Sequence, residues 1–181
     1  MNNGLNLKEI SKQIKASGKS GSLIWSREQE QHFITNRHFL LRVDEVPYEV
    51  LIALFSVFLK VPEKGETLNC YAGKIQDNEK QKPISFEKIY TPDKQTEKGE
   101  VTPFIKELGE KMQARVIQFP GNFTYINEQF MKMTNDKEPV STKGPMTPIY
   151  FADRNLILLP YRVHETKDDA ALVSLMGNTL E

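Results

Sequence analysis

The stretch PMTPIYFADRNLILLPYRV, Pro145 to Val163, constrains the fold of this chain more than any other. Thr147 to Ala152 and Leu156 to Leu159 are built from β-branched, aromatic and aliphatic residues, and the Asp153-Arg154-Asn155 between them is turn material. Two such runs around so short a polar break predict a β-hairpin. Pro160 has no N–H to give to a ladder, so the second strand ends there or lies at an edge, with Tyr161, Arg162 and Val163 continuing extended. The rest of the chain must supply what this hairpin pairs with.

From Leu5 to Ala16 the apolar residues Leu7, Ile10 and Ile14 recur at helical spacing, and Gly18 and Gly21 follow as terminators. Three short apolar runs, SLIWS, HFITN and HFLLRV, then predict consecutive antiparallel strands. Val46 to Leu59 opens at Pro47 and is apolar almost all round, which predicts a buried helix. Between Pro62 and Pro103 the composition turns polar, as expected of a surface-wrapping insertion. PFIKELGEKMQ has helical spacing, ARVIQF reads as a strand, and Phe123, Ile126, Phe130 and Met133 line one face of a predicted helix from about Phe123 to Met133. The order predicts an α+β fold: one domain over residues 1–163 with its insertion at about 62–103, built as two helix-plus-antiparallel-strand halves, and a tail over 164–181.

Composition narrows the classes. With 181 residues the chain is long enough to bury a core, and its 24 basic and 24 acidic residues cancel, which excludes a globally basic nucleic-acid coat. Cys70 is the only cysteine, so neither an intramolecular disulfide framework nor a cysteine-based zinc site can form. The N-terminal residues lack the apolar core of a signal peptide, and the longest apolar run, Val50 to Leu59, is too short to span a bilayer. The expectation is a cytoplasmic protein with no membrane partner.

Two segments carry a family resemblance. HFITNRHFLLRV and GPMTPIYFADRNLILLPYRV together resemble signatures of the bacterial DNA sliding clamp, the polymerase III β-subunit family with its phage and plasmid relatives. Ile34-Thr35-Asn36-Arg37-His38 stands where that family has Ile-Thr-Asp-Gly-His, with Asn36 and Arg37 departing from it. Thr147-Pro148-Ile149-Tyr150 and Leu158-Leu159-Pro160-Tyr161-Arg162 match the family's last two strands, and NFTYINEQFMKM resembles the helix before them. The resemblance implies a clamp-like domain of two β-α-β-β-β halves, with sheets outside and two helices on one face. It implies weak, sequence-independent association with double-stranded DNA and a role in tethering replication proteins. Clamp rings use several such domains per circle, so closure would need a homo-oligomer of this chain.

The candidate sites follow. Lys8, Lys12, Lys15 and Lys19 fall in one narrow stripe of the first helix, opposite Leu7, Ile10 and Ile14. Such a stripe is either a solvated face or a set of backbone phosphate contacts, which a sequence-independent DNA binder needs. In the tail, Leu172, Leu175 and Met176 form an apolar run that either docks on the core as a last helix or occupies a partner groove. His32, His38 and His164 lack the companion ligands of a metal site, and Asp168-Asp169 reads as a helix cap. No nucleotide-binding, hydrolase or metalloprotease motif occurs, so neither catalysis nor a cofactor is expected. The competing expectation is a protein-interaction module of similar fold, of the kind mobile elements use to inhibit or take over host proteins, that does not encircle DNA.

Overall fold

The computed structural model describes residues 4–77, 86, 96–142 and 147–161. Helix α1 spans Leu7–Ser20. It starts where the side chain of extended Asn6 accepts the Glu9 N–H at 3.4 Å, and Glu9 and Lys19 sit at the ends that suit the helix dipole. It runs past the expected stop at Ala16 because Gly18 is a packing residue, buried inside the helix against Val57. Gly21 is the cap, donating its N–H to Ser17 O at 2.9 Å.

The three apolar runs form β1 (Ser22–Glu28), β2 (Gln31–Thr35) and β3 (Phe39–Val43), antiparallel in sequence. Helix α2, Tyr48–Phe58, follows Pro47 and ends at Leu59, whose φ of 59° is left-handed. The expectation of burial on all sides needs correction. Val50, Ala53, Leu54 and Phe58 are buried, but Tyr48, Ile52, Phe55 and Leu59 are exposed. A helix laid on one sheet hides one stripe, and among the described residues nothing covers the other.

The polar middle segment contributes β4 (Thr67–Tyr71), β5 (Lys74–Ile75), β6 (Thr96–Lys98) and the start of β7 (Glu100–Glu107). Two helix expectations fail here. The residues of PFIKELGEKMQ form the end of β7 and the turn into β8 (Gln113–Phe119), closed by Leu108 N–H to Met112 O at 2.7 Å across Gly109 at φ 108°. Phe104 and Ile105 stay exposed, so the helical spacing had no core to face. The residues from Phe123 onward form β9 (Asn122–Asn127), then only a four-residue helix, α3 (Glu128–Met131). Pro120-Gly121, with Gly121 at φ 75°, closes a β8–β9 hairpin, and Phe123, Thr124, Tyr125 and Ile126 favour a strand once it is closed.

The last strands are β10 (Val140–Thr142), β11 (Ile149–Phe151) and β12 (Leu156–Leu158). The predicted hairpin is present as β11–β12, turning through Ala152, Asp153 and Arg154 at positive φ. Its purpose is now visible: β12 pairs with β3, Leu156 opposite Leu41 and Leu158 opposite Phe39. The distant ends of the chain thereby join one antiparallel sheet of nine strands, in the order β5-β4-β1-β2-β3-β12-β11-β10-β6, while β7-β8-β9 form a second sheet.

Alternation sorts the strand residues into two layers. Leu23, Trp25, Ile34, Phe39, Leu41, Phe151 and Leu156 face Ile10 and Ile14 of α1, Val50, Leu54 and Phe58 of α2, and Ile117 and Ile126 of the smaller sheet. Ile24, Phe33, Leu40, Tyr150 and Ile157 face the other way, where Phe86 stacks on Phe33 at 5.7 Å. Both sheet faces are covered, which is why these strands read as unbroken apolar runs. Each large side chain so buried contributes roughly 1.5–3 kcal/mol. The fold is mixed α and β with antiparallel sheets. The long helix beside α1 is α2, not a helix at residues 123–133.

Candidate functional surface

α1 and α2 lie side by side on the sheet and make close contact where Gly18 meets Val57. The buried residues of α1, Ile10, Ile14, Ser17 and Gly18, point inward. Lys8, Lys12, Lys15 and Lys19 lie on the opposite side of the helix and are all exposed. The structure therefore brings the four predicted lysines together in one row. Lys12 Nζ reaches Glu9 Oε2 at 3.4 Å, an exposed i,i+3 pair of small energy. Among the described residues the other three lysines make no ion pair.

The sequence did not single out a second exposed row, on α2. Tyr48, Ile52, Phe55 and Leu59 recur at helical spacing on α2 and point away from Val50, Ala53, Leu54 and Phe58. Tyr48 is 76% exposed and Leu59 70%, with Ile52 and Phe55 near half, so this is a continuous apolar stripe rather than one stray residue. Its signal was present in the sequence, because a helix of this length apolar on every side must expose part of that surface when only one sheet lies against it.

The remaining candidates are structural. Trp25 Nε1 donates to His32 Nδ1 at 3.1 Å inside the protein, and burial first, then the charge of Arg27, holds His32 below its ordinary pKa. His38 is exposed and stacks on Phe130 with ring centroids 5.6 Å apart. Cys70 is buried, its Sγ 3.4 Å from Gly18 O, and burial pushes its thiol pKa up. His164, Asp168, Asp169, Leu172, Leu175 and Met176 lie outside the described residues. Among the described residues no group of three or more His, Cys, Asp or Glu is placed to hold a metal ion, and no helix is long and apolar enough to cross a membrane.

A cleft of about 640 Å³ opens between α1, the smaller sheet and α3, lined in part by Glu9, Arg115, Glu128, Lys132, Asn135 and Lys137. Arg115 makes four hydrogen bonds there. Its Nε and Nη2 grip the Glu128 carboxylate, and Nη1 donates to Thr102 O at 3.3 Å and Pro103 O at 3.1 Å. These bonds fasten α3 to β7 and β8. Comparison with known protein families, with curated proteins and with solved structures finds no match to this chain.

Proposed function

We propose that this chain is a non-enzymatic protein-interaction module that works through the outer surface of its α1/α2 layer. The observation that carries the reading is the exposed apolar row of α2, Tyr48, Ile52, Phe55 and Leu59. An apolar stripe held open to water on a rigid helix is favourable only once a partner covers it. A bare duplex is a poor cover, since phosphates and sugars gain nothing from Tyr48, Ile52, Phe55 and Leu59, and α2 itself offers no Lys or Arg.

The lysine row favours a second reading. In it the chain is a clamp-like DNA-associated protein that tethers or regulates replication proteins, with copies of the chain joining around a duplex and Lys8, Lys12, Lys15 and Lys19 meeting its backbone. Fluorescence anisotropy with a labelled duplex separates the two. The protein-module reading expects no binding that depends on these lysines even at low salt. The DNA reading expects weak binding that is blind to base sequence, falls steeply with salt and disappears when all four lysines become glutamine. Lysine-dependent duplex binding would overturn the first reading.

A further inference from the structure

We infer that the apolar row of α2 is covered by the same row of a second copy of this chain, the two α2 helices lying antiparallel about a two-fold axis. This rests on the protein-module reading and names the partner. Tyr48, Ile52, Phe55 and Leu59 stand at i, i+4, i+7 and i+11, the spacing of a seam between two helices. That spacing is symmetric about the bond between Ala53 and Leu54. A two-fold axis there sets Tyr48 opposite Leu59 of the second copy and Ile52 opposite Phe55 of the second copy, so each aromatic side chain meets an aliphatic one and the surface is complementary to itself. The approach is open as well. Val57, which meets Gly18 of α1, lies half a turn round the helix from the row, so a second α2 can reach the row without touching α1.

Area and charge favour this occupant. Tyr48 is 76% exposed, Leu59 70%, Phe55 49% and Ile52 48%. At about 200 Å² for a side chain of this size, roughly 500 Å² of apolar surface is open on each copy, and a two-fold contact would bury roughly 1,000 Å², the size at which specific interfaces begin. Helix Tyr48–Phe58 contains one charged residue, Glu49, which is exposed on the flank of the row. Antiparallel pairing keeps the two Glu49 carboxylates about 14 Å apart along the helix axes, one at each end and both at the polar rim. Parallel pairing would set them side by side. An anionic membrane is the poorer cover, because a helix that lies on one flanks its apolar side with Lys or Arg. Here the flank carries Glu49, and Lys60, just past the helix, is bound to Glu66.

The test is sedimentation of the full chain between about 1 and 500 µM, which should show a monomer–dimer equilibrium with a dissociation constant in the micromolar range, as suits so small an interface. Ile52→Asp with Phe55→Asp should weaken the dimer at least tenfold, and Tyr48→Ala with Leu59→Ala several-fold, while added salt should not weaken it. Both variants change exposed positions only, and the circular dichroism and melting of their dilute monomers should match the parent. Cross-linking under mild oxidation reads the orientation. Tyr48→Cys should form no disulfide dimer by itself, since its two copies would lie about 16 Å apart along the axes, but should form one when mixed with Leu59→Cys. A chain that stays monomeric over the whole range rejects the second copy and leaves the protein-module reading to the duplex measurement. A dimer that both variants retain places the interface elsewhere and rejects the row as its seat. Cross-linking of Tyr48→Cys by itself rejects antiparallel pairing. Anionic vesicles bound by the monomeric parent and not by the aspartate variant would reject the second copy in favour of a membrane.

Discussion

Trp25 and His32 are joined across the β1–β2 pair by an indole-to-imidazole hydrogen bond of 3.1 Å, with ring centroids 5.9 Å apart and both side chains buried. The bond requires an unprotonated Nδ1, so His32 is neutral in the folded protein and its remaining proton sits on Nε2.

Acid should therefore destabilise this protein through His32. Burial and the Arg27 charge place its folded pKa below that of the unfolded chain, about 6.5. As pH falls the unfolded state takes up the proton first. Stability from this group is full above about pH 6.5, declines as pH falls below that value, and stops declining once the folded pKa is passed. Thermal melts between pH 8 and pH 5 should show a falling Tm for the parent. His32→Gln keeps an acceptor for Trp25 and removes the titration, so its Tm should fall less over that window. Parallel curves would reject His32 as the source.

The turn between β2 and β3 gives a second prediction. Asn36 Oδ1 accepts the N–H groups of His38 at 2.9 Å and Phe39 at 3.1 Å, and its Nδ2 donates to Ser17 Oγ at 3.0 Å, tying the turn to α1. Arg37 is exposed and held at φ 75°, a conformation that costs a non-glycine residue about 1 kcal/mol. Arg37→Gly should raise stability by up to about that amount, and Asn36→Ala should lower it by about 1–2 kcal/mol in urea unfolding. An unchanged midpoint for Asn36→Ala would mean that water replaces the side chain at no loss.

What could be read from the sequence divides along physical lines. The first helix, the three strands after it, α2 and the last hairpin were legible because each carries its own pattern within a few residues of itself. The segments Pro103 to Gln113 and Phe123 to Met133 were not, because helical spacing of apolar residues is ambiguous in short stretches, and the Pro120-Gly121 hairpin decides for strands by pairing partners that the spacing does not contain. The lysine row was legible from spacing alone, whereas the apolar row required knowing that α2 has a sheet on one side only. Pairing of β12 with β3 joins residues more than a hundred positions apart, and no local pattern announces it.

Cys70 supplies a probe of global opening. It is 1% exposed in β4, and burial raises its thiol pKa, partly offset by the Gly73 backbone N–H, so little reactive thiolate forms in the native state. Reaction with a disulfide reagent should be slower than in the denatured chain by at least about a thousand-fold, since it must wait for the core to open. Rapid labelling without denaturant would show that β4 opens separately from the rest.

The closest helix contact yields the last prediction. A Cβ on Gly18 would lie 2.5 Å from Val57 Cγ2 and 2.9 Å from Cγ1, closer than carbon atoms tolerate. In an unobstructed helix Gly→Ala gains about 1 kcal/mol, while forcing extra volume into a packed contact costs about 1–3 kcal/mol. Gly18→Ala should therefore lower stability despite improving helix propensity. Val57→Ala removes both methyl groups and leaves only its Cβ, 3.3 Å away, so in that background the same change should cost far less and approach neutrality, as helix propensity offsets the one tight contact that remains. Urea unfolding of the parent, both single variants and the double variant closes the cycle, with a coupling of about 1–3 kcal/mol expected. A zero coupling would show that Val57 turns aside freely, and that Gly18 is not what sets the approach of α1 to α2.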